Sequence, residues 1–397
     1  MVPAIPSPSV VRFHPAAAGL LLLLLAPGCG SGNGGGGADA GAPFGVDGGA
    51  PDAAWVAAFD AWLAPQVAPL LDVNGAPGKA TGVVVGVSAP GLRHAFGYGV
   101  SRVGGEAPHG DTVFEVGSLT KVYTGLLLGL AVEDGSAALD EPLDAFFPGG
   151  APSRGGTSVS LLDLATHHSG LPNYDPGYSS GVPMNPGANY AEADLAACMA
   201  GGCPLDSVPG TRAQYSNLGS GTLGYVLGKR AGAAGYQALL SQRVLVPLQL
   251  QDTATVPSPA QQARLAQGYA GGSPAPKLQI GEPLAGAGAL RSTAFDVLRF
   301  VESASGTGGP ALAAAWQRVL TPYRGAGVPG TQMGLQVAVE PVGGATVYSK
   351  SGGTPGFSSH LLFTASPHAA VVVWANGKAV EIRPLALAAL ERLQAPR

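Results

Sequence analysis

Charge is scarce in this sequence. Charged side chains make up 12% of its 397 residues, about half the usual share, and the formal net charge is only −4. There is no basic block, which argues against nucleic acid as a partner, because phosphate binding needs clustered lysine and arginine. Lysine occupies six positions, namely Lys79, Lys121, Lys229, Lys277, Lys350 and Lys378. Cysteine occupies three, Cys29, Cys198 and Cys203. A zinc site at the last two would need two more ligands, and no histidine lies in that segment. Internal repeats, a Walker loop and a dinucleotide fingerprint are also missing. What is abundant is apolar: 46% of residues, enough for a sizeable core in one large domain or two lobes.

The first 28 residues have the composition of an export signal. Arg12 supplies a positive charge, and residues 16–26 form an apolar run around six consecutive leucines. Spanning a bilayer takes about 20 residues, so this run is too short. Pro27-Gly28-Cys29 follows, then a Gly/Ala/Asp-rich stretch to residue 52 that cannot bury enough apolar surface to fold. A hydrophobic run, a cysteine and a tether together resemble a bacterial lipoprotein signal. The resemblance implies export, lipidation at Cys29 and anchoring to the cell-envelope membrane; the plain alternative is a secretory signal cleaved nearby. In an oxidising compartment, Cys198 and Cys203, separated by a Gly-Gly turn, are expected to close a small disulfide loop.

Residues 53–395 form the folded domain. Trp55, Phe59, Trp62 and Leu63 have helical spacing within 53–71. Strands are expected at 82–87 and 92–100. Helices should follow at 122–132, 161–166, 218–231 and 236–244. Strands return at 333–339, 345–349, 360–364 and 369–374, before a last helix at 382–393. The reading is an α+β fold. One antiparallel sheet is assembled from both ends of the chain (about 53–115 and 300–395) and covered by the terminal helices. An all-α lobe is inserted over about 116–299.

Three short motifs carry chemistry. In Ser118-Leu119-Thr120-Lys121, a spacing of three places a hydroxyl and an amine on one helical face. Serine is a nucleophile only when a neighbouring base takes its proton, and lysine is that base only when neutral. Burial and nearby positive charge both favour neutrality; a second ammonium about 6 Å away would cost roughly 3 kcal/mol, or about two pKa units. In Tyr215-Ser216-Asn217 a phenol can relay a proton and an amide can orient the lysine. In Lys350-Ser351-Gly352-Gly353 a lysine and a hydroxyl can hold a carboxylate. The glycines admit close approach, so the N–H groups of Ser118 and Gly353 can form an oxyanion hole.

In this order, the motifs resemble the penicillin-recognising serine hydrolases: class C β-lactamases, D-alanyl-D-alanine carboxypeptidases and related esterases. The segments 114–121, 161–172, 286–300 and 351–359 are similar to the family's text around its motifs. The resemblance implies an acyl-enzyme on Ser118, with Lys121 and Tyr215 transferring protons. Asn217 would orient, and Lys350 with Ser351 would bind the substrate's carboxylate; no metal or cofactor is implied. A carboxylesterase on the same scaffold and a non-catalytic surface binding module are the competing readings. Two other patterns are decoys. Gly177-Tyr178-Ser179-Ser180-Gly181 fits a nucleophile elbow but is surrounded by Pro172, Pro176 and Pro183. His167-His168 has no third metal ligand nearby and is read as structural.

Overall fold

The computed structural model describes residues 52–72 and 74–395. The expected signal, Cys29 and the tether up to residue 51 lie outside these. Among the described residues no helix is long and apolar enough to cross a membrane.

Eight antiparallel strands make one sheet. In chain order they are β1 (Gly82–Ala89), β2 (Leu92–Gly99), β3 (Arg324–Gly325), β4 (Gln332–Met333), β5 (Ala338–Val342), β6 (Ala345–Gly353), β7 (Ser358–Ala365) and β8 (His368–Ala375). Across the sheet they run β2-β1-β8-β7-β6-β5-β4-β3. The two ends of the chain meet at the β1–β8 pair, where Val85 lies opposite Val373. The strands are apolar on both faces because both are covered. On one face Val85, Val371 and Val373 join Phe59 and Leu63 of α1 (Ala53–Val67), and Leu385 and Ala389 of the last helix, Arg383–Gln394. On the other, Val84, Val372 and Trp374 pack with Val297, Leu298 and Phe300 of Ala294–Glu302.

Local chemistry moves four expected boundaries. The first helix stops at Val67 and continues as a 3₁₀ turn, Ala68–Leu70, since Pro69 has no N–H to extend the α ladder. The strand expected at 333–339 is broken in two. Gln336 sits at φ +67, and its buried amide accepts from Ser220 and donates to Leu164 O, each at 3.0 Å. That polar anchor reaches the helical region only by leaving the ladder. Conversely, β6 continues past residue 349, pairing Lys350 with Leu361 and Gly353 with Ser358. The third motif therefore lies on a strand. The helix expected at 236–244 is α-helical only over Tyr236–Leu240, widening into a π turn at Ser241–Leu245. Cys198 and Cys203 are joined by a disulfide around Gly201, whose φ of +126 suits glycine.

Candidate active site

Ser118 lies in a 3₁₀ turn, Gly117–Leu119, that feeds directly into the helix Thr120–Glu133. Two features hold the turn. Thr120 Oγ1 donates to Gly117 O at 2.7 Å. Gly117 itself adopts φ +55, and a Cβ there would come within 3.0 Å of the Gly353 backbone. Only glycine at 117 lets the end of β6 approach the turn, which brings the Gly353 peptide beside Ser118. The helix that follows is buried from Thr120 to Ala131. Lys121, on its first turn, has no solvent exposure at all.

Tyr215 and Asn217 arrive from the far side of the site. Ser216, between them, caps the helix Asn217–Arg230 by accepting from Gly219 N at 2.8 Å. Its hydroxyl donates to Pro172 O at 2.7 Å. With the middle residue turned inward as a cap, its two neighbours face the cleft. Tyr215 Oη lies 2.5 Å from Ser118 Oγ, and Lys121 Nζ lies 3.1 Å from the same oxygen. Lys350 Nζ stands 5.2 Å from the Tyr215 ring centre and Lys121 Nζ 4.8 Å. Ser351 is exposed, next to Lys350 on β6. The structure thus gathers Ser118, Lys121, Tyr215, Asn217, Lys350 and the Gly353 backbone around one cleft. The Gly177–Gly181 decoy connects no strand to a helix.

Lys121 is surrounded by acceptors rather than charges. Its amine donates to Asn217 Oδ1 at 2.7 Å and to the Ala287 carbonyl at 2.5 Å. Burial holds its pKa well below an ordinary lysine's 10.5. The cause is desolvation; the second ammonium, to which the sequence reading gave a large share, is not what depresses it. Lys350 is pushed down to about 8, chiefly by burial, with Lys121 adding to the shift and Tyr215 opposing it.

Three further residues contribute, of which Asn173 and Ala287 had no assignment from sequence and His167 was expected to be structural. Asn173 accepts from both the backbone N–H and the Nδ2 of Asn217, at 3.1 and 2.9 Å, and so turns Asn217 Oδ1 towards the lysine. Its only sequence signal is its place directly after the 161–172 stretch. Ala287 acts through a backbone carbonyl, which no residue type announces. His167 packs against Tyr215 with ring centres 4.6 Å apart and planes tilted by 42°, and its Nδ1 accepts from Ser216 N at 3.4 Å. Burial, reinforced by Lys350 and Lys121, keeps its imidazole pKa well below 6.5.

The family model described as Beta-lactamase matches residues 59–394. This chain belongs to the β-lactamase family. A D-alanyl-D-alanine-carboxypeptidase/endopeptidase AmpH from Escherichia coli is 32% identical over 228 residues, 56% of this chain and 57% of that protein. The match thus spans little more than half of that relative. A β-lactamase from Pseudomonas fluorescens is 27% identical over 332 residues, 74% of this chain and 88% of that one. Among solved structures, D-alanine carboxypeptidase AmpC from Burkholderia cenocepacia superposes with a TM-score of 0.70 at 26% identity, covering 85% of this chain and 99% of that one. A class C β-lactamase gives 0.73 at 22% identity, covering 86% and 98%. The fold is that of the class C β-lactamases.

Proposed function

We propose that this β-lactamase-family chain is a serine hydrolase that transfers acyl groups to water through an ester on Ser118. One observation carries the reading. A neutral lysine amine has two N–H donors and one lone pair. Asn217 Oδ1 and Ala287 O, which accept only, take both donors, so the lone pair is left for the Ser118 hydroxyl 3.1 Å away. Ser118 O–H donates to Lys121 Nζ and loses its proton there as Oγ attacks the substrate carbonyl. The Ser118 and Gly353 N–H groups stabilise the tetrahedral oxyanion. Tyr215, 2.5 Å from Oγ, passes a proton to the leaving group as its bond to the acyl carbon breaks. Water then attacks the acyl-enzyme, and the proton path runs in reverse.

Lys350 and Ser351 favour a substrate with a carboxylate on the leaving-group side, as in peptidoglycan stem peptides and β-lactams. Lys350 is charged below about pH 8 and neutral above it. The KM for a D-Ala-D-Ala peptide or nitrocefin is therefore expected to rise as pH increases through 8, while that for an uncharged p-nitrophenyl ester stays level. Side-by-side kinetics from pH 6 to 10 test this. Efficient ester hydrolysis with no turnover of the other two substrates would replace it with the esterase reading.

The chain is also proposed to be exported and lipid-anchored through Cys29. The support is the signal-like N-terminus together with the Cys198–Cys203 disulfide, a bond suited to oxidising compartments. Cys29→Ser is expected to move the protein from the membrane to the soluble envelope fraction. Unchanged membrane association in that variant would count against the anchor.

A further inference from the structure

One residue beside the cleft holds a backbone conformation that its type does not favour. The helix Leu161–Ala165 ends at Thr166, and the next residue, His167, sits at φ +60. Glycine usually fills this place after a helix, because a Cβ is penalised in the left-handed region. His167 is also buried, and its Nε2 has no hydrogen-bond partner among the described residues. Both features oppose stability. Glycine would relieve the first and an apolar side chain the second. Strain of this kind persists where the surrounding structure requires it.

His167 grips the segment that carries Tyr215 at three successive residues. Its carbonyl accepts from Gln214 N at 2.7 Å, and its Nδ1 accepts from Ser216 N at 3.4 Å. Between these two bonds the imidazole packs against the Tyr215 ring. The His168 carbonyl adds a bond from Gly210 N at 2.8 Å. Such a grip is needed because Tyr215 is 43% exposed, so the core does not enclose its ring. Its Oη nonetheless lies 2.5 Å from Ser118 Oγ. With Nδ1 as acceptor, the single proton of a neutral imidazole sits on Nε2. An imidazolium would point a donor at the Ser216 N–H and add a third cation to the two amines beside the Tyr215 ring. Burial opposes that protonation.

We infer that His167 is a positioning residue for Tyr215: its ring and Nδ1 hold the phenol beside Ser118 Oγ, and it thereby governs how well the enzyme expels leaving groups that need a proton. The inference rests on acyl transfer through Ser118 with Tyr215 as proton donor. His167 acts through the 214–216 backbone and the Tyr215 ring, and not on the reacting atoms.

The test compares the p-nitrophenyl and ethyl esters of N-acetyl-D-alanine. Nitrophenoxide departs without a proton, whereas ethoxide needs one. Both esters form the same acyl-enzyme, so the ratio of their kcat/KM values compares acylation alone. His167→Gly suits the left-handed backbone and removes both ring and acceptor. It is expected to lower kcat/KM for the ethyl ester by roughly 10²-fold, the effect of a misplacement of about 1 Å, and for the p-nitrophenyl ester by less than about threefold. His167→Phe fills the space without the acceptor and should show the same selective loss, so a folding defect in the glycine variant does not decide the matter. Asparagine also tolerates the left-handed region and places an oxygen where Nδ1 sits, so His167→Asn should recover most of the loss. Equal losses on the two esters in a folded glycine or phenylalanine variant, or an asparagine variant no better than glycine, overturn the inference. So does a wild type that cleaves the p-nitrophenyl ester and not the ethyl one. The acyl-transfer reading fails separately, if wild type cleaves neither ester and a fluorophosphonate leaves Ser118 unlabelled.

Discussion

Ser118→Ala is expected to lower kcat by roughly 10⁴- to 10⁶-fold, the scale seen when an acylated nucleophile is removed and the rest of the site is left intact. The loss should be confined to chemistry. Ser118 is part-exposed in its turn, and the turn is held by Thr120, Gly117 and the approach of β6, none of which needs the hydroxyl. The variant should therefore unfold at nearly the wild-type temperature and bind carboxylate-bearing substrates with little change in affinity. It should not be labelled by penicillin or fluorophosphonate. Turnover that survives this substitution would move the nucleophile elsewhere and leave the cleft as a binding surface.

Lys121→Met removes the proposed base with little change in side-chain volume. A positioned general base contributes about 10²- to 10⁴-fold, and a fall of that size in the acylation rate is expected from stopped-flow kinetics. The substitution leaves Asn217 Oδ1 and Ala287 O without their donor, a cost of about 1–3 kcal/mol for each buried orphan. Relief from burying an ionisable amine works in the opposite direction. Lys121→Arg makes the sharper comparison. A guanidinium keeps its proton at any working pH, so arginine should be as inactive as methionine even though it retains donors. If Lys121→Arg kept near-wild-type acylation rates, Lys121 would be a positively charged electrostatic contact and not a base.

The site was legible in the sequence to the extent that it depends on side-chain type and short spacing. Ser118 and Lys121 meet because three residues span one helical turn, and Tyr215 and Asn217 face the same way because the cap Ser216 turns inward between them. The sheet's assembly from both chain ends was equally legible, since its strands are apolar runs with hairpin spacing. The parts that escaped depend on backbone groups or on distant partners. The Ala287 carbonyl has no residue signature, and Asn173 matters only because folding sets it against Asn217, 44 positions along the chain. The break at Gln336 reflects a buried amide reaching Leu164 and Ser220, a tertiary demand that overrides strand propensity. Burial was expected to depress Lys121's basicity and does, while the share expected from a second ammonium is not found, for a related reason. Spacing shows which charges are near one another but not how completely a helix turn is removed from water.

The measurement closest to the central claim is the pH dependence of Ser118 phosphonylation by a fluorophosphonate, followed by mass spectrometry from pH 4 to 11. The account predicts a rate that climbs to a plateau with a midpoint well below 10.5, and the loss of that midpoint in Lys121→Met. A midpoint at 10.5, or one that persists unchanged without the lysine, would contradict it.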